Sequence, residues 1–382
     1  MGNVIRLVVV ATPPPEFSLQ EQLANLGATV QAALRRHEWP LAVTRQTVFL
    51  REAADEPACR AFFAAAEPLA SALHQFVVQP PANGARVALE AWAIGGPGVS
   101  VTAALPQVRA VSYDGLRWLH TTGTRHRTDR AGAFAAATRA FQETSDLLAA
   151  ADMNWENVVR TWWQLGGITD NRDGLQNYRE LNRARAAAFR DRHFGAQSPP
   201  AYPASTAIGM AVGSGLQLAT LALQTRRTDV TLLPLENPRQ TPAYNYAACY
   251  SADSPKFSRA MALVTPDCLT VWISGTASII RSEVVHPGDA AAQTGQTLDH
   301  IANLLARENF ARHGQPDAGA TLDDLVKVRV YVKRAGDVAA CRAVCARRLG
   351  DVPAVYVLAD VCRPELLVEI EGVAFAARKV NA

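Results

Sequence analysis

ATLDDLVKVRVYV (residues 320–332) reads as a short helical turn running into a strand of alternating β-formers, and MNWENVVRTWWQL (153–165) reads the same way. Outward from these two segments the order repeats. Upstream lie WLHTTGTRHRTDRAGAFAAATRAF (118–141) and WISGTASIIRSEVVHPGDAAAQTGQTLDHI (272–301). Each is an apolar strand, a Gly-Thr turn, a polar stretch and a helix. Downstream a Pro-Ala pair recurs, Pro203-Ala204 and Pro353-Ala354, followed by the closing strands GLQLATLALQ (215–224) and ELLVEIEGVAF (365–375). Strand, helix, strand, helix, strand is used twice, about 150 residues apart. This predicts a mixed α/β (α+β) protein of two homologous units, each a mixed β-sheet packed by helices.

The expected boundaries are 1–228 and 229–382. Residues 1–108 fall outside the repeat and are expected to extend the first sheet. Between the units lies LPLENPRQTPAYNYAACYSADSPKFSRAMAL (233–263). It reads as a long ordered loop, and loops of that length are often functional. It holds Tyr244, Tyr246 and Tyr250 with Arg239. The first unit's closing strand has Ala219 and Leu221 where the second has its glutamates, so the first unit is expected to be scaffold.

Composition narrows the function classes. At 49% apolar and 19% charged the 382-residue chain is globular rather than disordered. A net charge of +3 leaves no electrostatic footprint for nucleic acid. Only four of the 38 basic residues are lysine (256, 327, 333, 379), and the remaining arginines suit bidentate binding of carboxylates. The six cysteines (59, 249, 268, 341, 345, 362) form no C-x-x-C pair. No apolar run reaches the ~20 residues a bilayer span needs, and no leader is visible. A cytoplasmic protein with reduced thiols and no membrane partner is expected. The eight histidines show no metal-ligand spacing, and no phosphate loop or nucleophile elbow occurs. No metal and no organic cofactor are expected.

The second unit resembles the RidA/YjgF fold (chorismate-mutase-like), through GATLDDLVKVRVYV, Pro353-Ala354 and VEIEGVAF (368–375). One departure stands out. RidA-type deaminases carry an arginine directly after the Pro-Ala pair, and Val355 is here instead. From about 110 to 380 the chain resembles the chorismatases, tandem RidA-like proteins that remove pyruvate from chorismate. The motifs are RTWWQLGGI (160–168), YRELNRARAAAF (178–189), YPASTAIG (202–209), ENPRQTPAYNY (236–246), SPKFSRA (254–260), ISGTASI (273–279) and ADVCRPELLVEIEGVAF (359–375).

Chorismate has two carboxylates and an enolpyruvyl ether. Its enzyme needs cationic clamps and a proton donor for the ether methylene. The resemblance implies Glu369 as that donor. On a strand, Glu369 and Glu371 share one face and Val368 and Ile370 the other. Taken alone, Glu369 would read as a solvated strand residue. The resemblance further implies Arg179 and Arg342 as carboxylate clamps, with Arg239 as a weaker third that could instead tie down its loop. Among so many arginines each would otherwise read as surface. Tyr246 is implied as a hydrogen-bond donor to substrate, or else packs. Gly275 and Cys362 point to the branch that makes 3-hydroxybenzoate, because the hydrolytic branch has a larger residue at the first position and no cysteine at the second. Without the family, Cys362 would be a structural thiol.

The expected activity is therefore conversion of chorismate to 3-hydroxybenzoate and pyruvate. Alternatives are a bifunctional enzyme making 3- and 4-hydroxybenzoate, a hydrolytic enzyme making a dihydroxycyclohexadienoate, and a RidA-like imine deaminase or non-catalytic ligand-binding protein. Monomer and homotrimer are both compatible with the sequence.

Overall fold

The computed structural model describes residues 4–128, 132–172, 174–190, 192, 194, 200–247 and 252–378. Cys249 and Tyr250 lie outside them. The chain first forms β1 (Ile5–Ala11), α1 (Leu19–Leu34), β2 (Leu41–Leu50), α2 (Glu56–Ala65), β3 (Leu73–Val78) and β4 (Val87–Gly95). These strands make a sheet of order β1-β4-β2-β3, with β2 and β3 parallel and the other pairs antiparallel.

The next unit holds β5 (Ser100–Leu105), β6 (Val108–Tyr113), β7 (Leu116–Thr122), α3 (Gly132–Ala149), β8 (Val158–Gly166), a ribbon of β9 (Asn171–Arg172) and β10 (Leu175–Gln176), α4 (Asn177–Phe189), β11 (Ala204–Met210) and β12 (Leu216–Thr225). Its sheet runs β11-β8-β12-β7-β6-β5, with β8 and β11 parallel.

The last unit holds β13 (Thr231–Leu235), β14 (Ala260–Val264), β15 (Cys268–Ala277), a ribbon of β16 (Ile279–Ile280) and β17 (Glu283–Val284), α5 (Ala290–Leu305), α6 (Arg307–Arg312), β18 (Leu325–Val332), α7 (Val338–Leu349), β19 (Ala354–Leu358) and β20 (Val368–Ala377). Its sheet runs β13-β14-β15-β20-β18-β19, with β18 and β19 parallel.

The core βαβαββ topology thus occurs three times. β1, β7 and β15 open the units. The parallel pairs are β2/β3, β8/β11 and β18/β19, and β4, β12 and β20 close between them. Residues 1–108 were expected to extend the first sheet. Of these, β5 does so, but β1 to β4 form a sheet of their own, a third copy with no Gly-Thr turn after its opening strand and no Pro-Ala pair leading into β3. Alternation of side chains and helix caps preserve the topology where those motifs are gone. At α1, for example, Ser18 accepts from the Glu21 amide and Glu21 returns a bond to the Ser18 amide.

Strand alternation sorts the three sheets into layers. On β18, Val328, Val330 and Val332 face the helices, together with Leu298 of α5 and Ile370 of β20. The first two units have equivalent helix-side cores around Leu26, Val48 and Phe63, and around Ala137, Phe141 and Trp163. The opposite sheet faces converge on one shared core that includes Ile94, Trp118, Trp162, Leu221, Trp272 and Val373. Helices therefore lie outside and the three sheets meet inside.

Also at this junction is a buried ionic cluster. Arg329 pairs with Glu90 at 2.8 Å, Arg160 pairs with Glu371 at 2.7 Å, and Lys327 lies 3.3 Å from Glu90 and 3.6 Å from Glu371. Each of these pairs joins two units except Lys327–Glu371. Removing one partner from such a pair costs about 3–5 kcal/mol, because the other charge is left buried and unpaired.

Candidate active site

A cleft of about 740 Å³ opens between the second and third units. Its floor is a seam where β11 meets β15. The Ser205 amide donates to Ser274 Oγ at 2.8 Å, and that hydroxyl donates to the Ser258 carbonyl at 2.7 Å. One wall is α4. Tyr178, Asn182 and Arg185 share one helical face at i, i+4 and i+7, and all three line the cleft with Arg179. The facing wall comes from β20, β15 and the connection after β19, with Glu369, Gly275, Cys362 and Arg363. The two short ribbons contribute Asn171, Gln176, Ile279 and Val284.

Glu369 and Glu371 share the inward face of β20, as strand alternation requires, yet their environments differ. Glu371 is gripped. Arg160 Nη2 donates at 2.7 Å, Trp162 Nε1 at 3.1 Å, and the Thr206 hydroxyl also donates. Burial alone would raise its pKa, but Arg329, Arg160 and Lys327 outweigh burial and hold it below the ordinary carboxylate range. Glu369 is only 5% exposed. Burial pushes its carboxyl up to about 8, and the fixed negative charge of Glu371 adds to that rise. The pair is thus split into one neutral acid and one permanent anion, an arrangement suited to proton donation at neutral pH.

Gly275 makes room for this acid. A Cβ at 275 would overlap Glu369 Oε1. Cys362 lies on the same wall, and burial with the nearby Glu369 pushes its thiol up to about 12. It remains a neutral thiol at physiological pH, which fits a small water-excluding wall better than a thiolate nucleophile.

Arg185 dominates the opposite wall. It is 2% exposed, and none of its three guanidinium nitrogens has a hydrogen-bond partner among the described residues. A buried cation with unused donors is costly on its own and is ready for a bidentate anion. The rings of Trp163 and Phe257 lie 5.8 and 5.9 Å from it. A second buried arginine, Arg259, donates to the Tyr246 hydroxyl at 2.6 Å and to the Thr241 carbonyl at 3.0 Å. Arg363 lies 5.3 Å from the Tyr246 ring.

Of the expected residues, Glu369, Cys362, Gly275, Tyr246 and Arg179 line one cleft, Arg179 at its exposed rim. Arg342 and Arg239 do not. Arg342 is exposed on α7, its guanidinium 4.1 Å from the Tyr356 ring, because its position on that outer helix points it away from the seam. The Arg239 side chain is also exposed, and its backbone carbonyl ties the loop to Arg281. Val355 is fully buried in the seam between the third and first units. The corresponding residue after the first Pro-Ala pair, Ser205, does line the cleft. Sequence reasoning missed Arg185 and Arg259. The i, i+4, i+7 spacing from Tyr178 was the available signal for Arg185. Nothing local marks Arg259.

Among the described residues no cluster of His, Cys, Asp and Glu could hold a metal ion, and no helix is long and apolar enough to cross a membrane.

Residues 91–222 match the family described as chorismatase FkbO/Hyg5-like, N-terminal, and residues 253–376 match the family described as endoribonuclease L-PSP. A Streptomyces rapamycinicus protein named chorismatase is 36% identical over 270 residues, which cover 69% of this chain and 78% of that protein. A Streptomyces hygroscopicus protein named 3-hydroxybenzoate synthase is 37% identical over 253 residues, covering 65% and 72% respectively. The crystal structure of a chorismatase superposes with a TM-score of 0.70 at 26% identity, over 98% of this chain and 99% of that one.

Proposed function

The chain belongs to the chorismatase family, and from that premise we propose that it converts chorismate to 3-hydroxybenzoate and pyruvate in the cleft between its second and third units. The observation that carries the mechanism is the split carboxylate pair, with Glu369 neutral and Glu371 anionic on one strand face.

Glu369 protonates the enolpyruvyl methylene. The ether carbon becomes an oxocarbenium ion, which the adjacent anionic pair stabilises electrostatically. The bond from C3 to the ether oxygen then breaks and releases pyruvate. The C4 oxygen closes onto C3, and its proton returns to Glu369. The resulting epoxide opens at C4 and the ring aromatises with the oxygen on C3. Atoms balance without water: chorismate yields one hydroxybenzoate and one pyruvate.

Arg185 holds one substrate carboxylate. Arg259, oriented by Tyr246, holds the other, and Arg179 guides the dianion in at the rim. Cys362 and the close fit of Glu369 over Gly275 keep water from the oxocarbenium carbon, which favours internal capture over hydrolysis. Three units complete the ring within one chain, so the working unit is proposed to be a monomer.

The test is purified protein and chorismate without added metal or cofactor, with aromatic products separated by chromatography and pyruvate assayed in parallel. Equal yields of 3-hydroxybenzoate and pyruvate are expected. A dihydroxycyclohexadienoate in place of the aromatic acid would overturn the internal-capture step, and pyruvate release no faster than the spontaneous background would overturn the whole reading.

A further inference from the structure

A second cavity of about 370 Å³ lies where all three sheets converge, and none of its lining residues lines the cleft. Trp92 comes from the first unit, Trp118, Tyr113 and Leu221 from the second, and Trp272 and Val373 from the third. Its mouth has the exposed side chains of Val326 and Phe375. We propose that this cavity is a binding site for a small planar aromatic carboxylate, separate from the catalytic cleft.

The aromatic part follows from the walls. Indole and phenol rings bind flat rings by offset and edge-to-face contact. The volume is at the lower end of the range for small-ligand pockets, about 300–1,000 Å³. Filling such a cavity removes apolar surface from water without ordering any loop.

The carboxylate follows from the polar groups. Among the described residues Arg6 is the sole charged side chain lining the cavity, held at the mouth over the Phe375 ring at 4.3 Å and donating to Thr270 Oγ1 at 3.2 Å. Trp272 is 4% exposed, yet its indole N–H has no acceptor among the described residues. A buried donor without a partner is costly, and a bound anion would satisfy it. Behind Trp92 stands the ionic cluster, with Arg45 at 5.8 Å and Lys327 at 5.6 Å from its ring. That cluster sets the cations Arg45, Arg160, Lys327 and Arg329 against the carboxylates Glu90 and Glu371, leaving an excess of positive charge close to the inner wall. His120 adds no charge of its own, because burial and Arg45 push its pKa down to about 3. The cavity thus offers donors and a positive field and has no carboxylate of its own.

The test is equilibrium dialysis of benzoate against the full-length protein, with benzamide as the uncharged control. Benzoate is expected to bind at least several-fold more tightly than benzamide. Val326→Trp, which blocks the mouth from an exposed position, is expected to weaken binding tenfold or more. Arg6→Glu should weaken it by about tenfold, a little over 1 kcal/mol. Both variants should turn over chorismate at the parental rate, which also reports that they fold. Arg185→Ala, in the cleft, should leave benzoate binding intact. Binding lost in Arg185→Ala but kept in Val326→Trp would place the ligand in the cleft and overturn the proposal, as would absence of binding at millimolar benzoate.

Discussion

Two seams between like units have opposite fates. In the seam of the second and third units, Glu369 lies opposite Tyr331 in the sheet, over the Cβ-less Gly275. In the seam of the first and second units the position matching Glu369 is Gln217, opposite Gln164. Register therefore places Gln217 and Ala219 where Glu369 and Glu371 stand, two residues before the Ala219 and Leu221 expected from the sequence. There the side chains close the gap. Gln217 donates to the Gly123 carbonyl at 2.9 Å, and Arg125 of the second unit bridges to Glu56 at 2.8 Å and to the Phe76 carbonyl at 2.7 Å. The third seam is closed by backbone, with Ala82 donating to Tyr356 at 2.9 Å and Leu358 to Pro80 at 2.8 Å. The same topology gives a cleft at one joint and direct side-chain or backbone bridges at the other two. What separates the first two is their chemistry: a neutral amide bonded to a neighbouring carbonyl in one, a buried carboxyl across from an unpartnered guanidinium in the other.

The sharpest way to break this comparison is to exchange the acid. Glu369→Gln should lower kcat by about 10²–10⁴, whereas Gln217→Ala should leave kcat within about twofold. Steady-state kinetics on both variants decides, and equal losses would mean that the seams do not differ as described. The same Glu369→Gln change should stabilise the fold. A carboxyl with a raised folded pKa favours folding less as pH climbs from its unfolded value towards about 8. The gain at pH 7, about 3 kcal/mol, should vanish near pH 4 in denaturant titrations.

Next in size is Glu371→Gln. Leaving Arg160 and its neighbours without their carboxylate should cost about 3–5 kcal/mol of stability. It should also lower the Glu369 pKa, because a negative neighbour is gone. The rate of the parent should fall as pH rises through about 8, since the acid must be protonated. In the variant that limb should move to lower pH. A limb that stays put would show that burial alone sets the acid.

Arg185→Met should raise KM by about 10²-fold, the loss of one buried charged clamp, measured by initial rates at varied chorismate. Gly275→Ala should displace the Glu369 carboxyl and lower kcat by about tenfold, with any hydrolytic product scored by chromatography. The smallest effect belongs to Arg342→Ala. On the outer face of α7 it should leave kcat and KM unchanged, and a rise in KM would return Arg342 to the site.

Much of the fold was legible because helices and strands write their periods locally. The two repeats rest on turn and Pro-Ala motifs, and on β18 and β20 alternation alone assigns the faces. The first unit was illegible by the same method, since it keeps the pattern and drops the motifs. In the site, Glu369, Gly275 and Cys362 were found through motifs close to one closing strand. Arg185 was recoverable from helical spacing. Arg259, in the bend before β14, acquires its role only when β14 and β15 meet β11.

The sequence by itself determined the strand, helix, strand, helix, strand order of the last two units, the shared face of Glu369 and Glu371, and the residue types a dianionic substrate needs. Those features depend on neighbours within a few residues. Only the tertiary structure decided that a third unit closes the ring, which of three joints stays open, and which of two adjacent glutamates holds a proton. Those depend on charges and walls brought from distant segments. Arg160 lies 211 residues from Glu371 along the chain, and it joins Arg329 and Lys327 in holding Glu371 anionic.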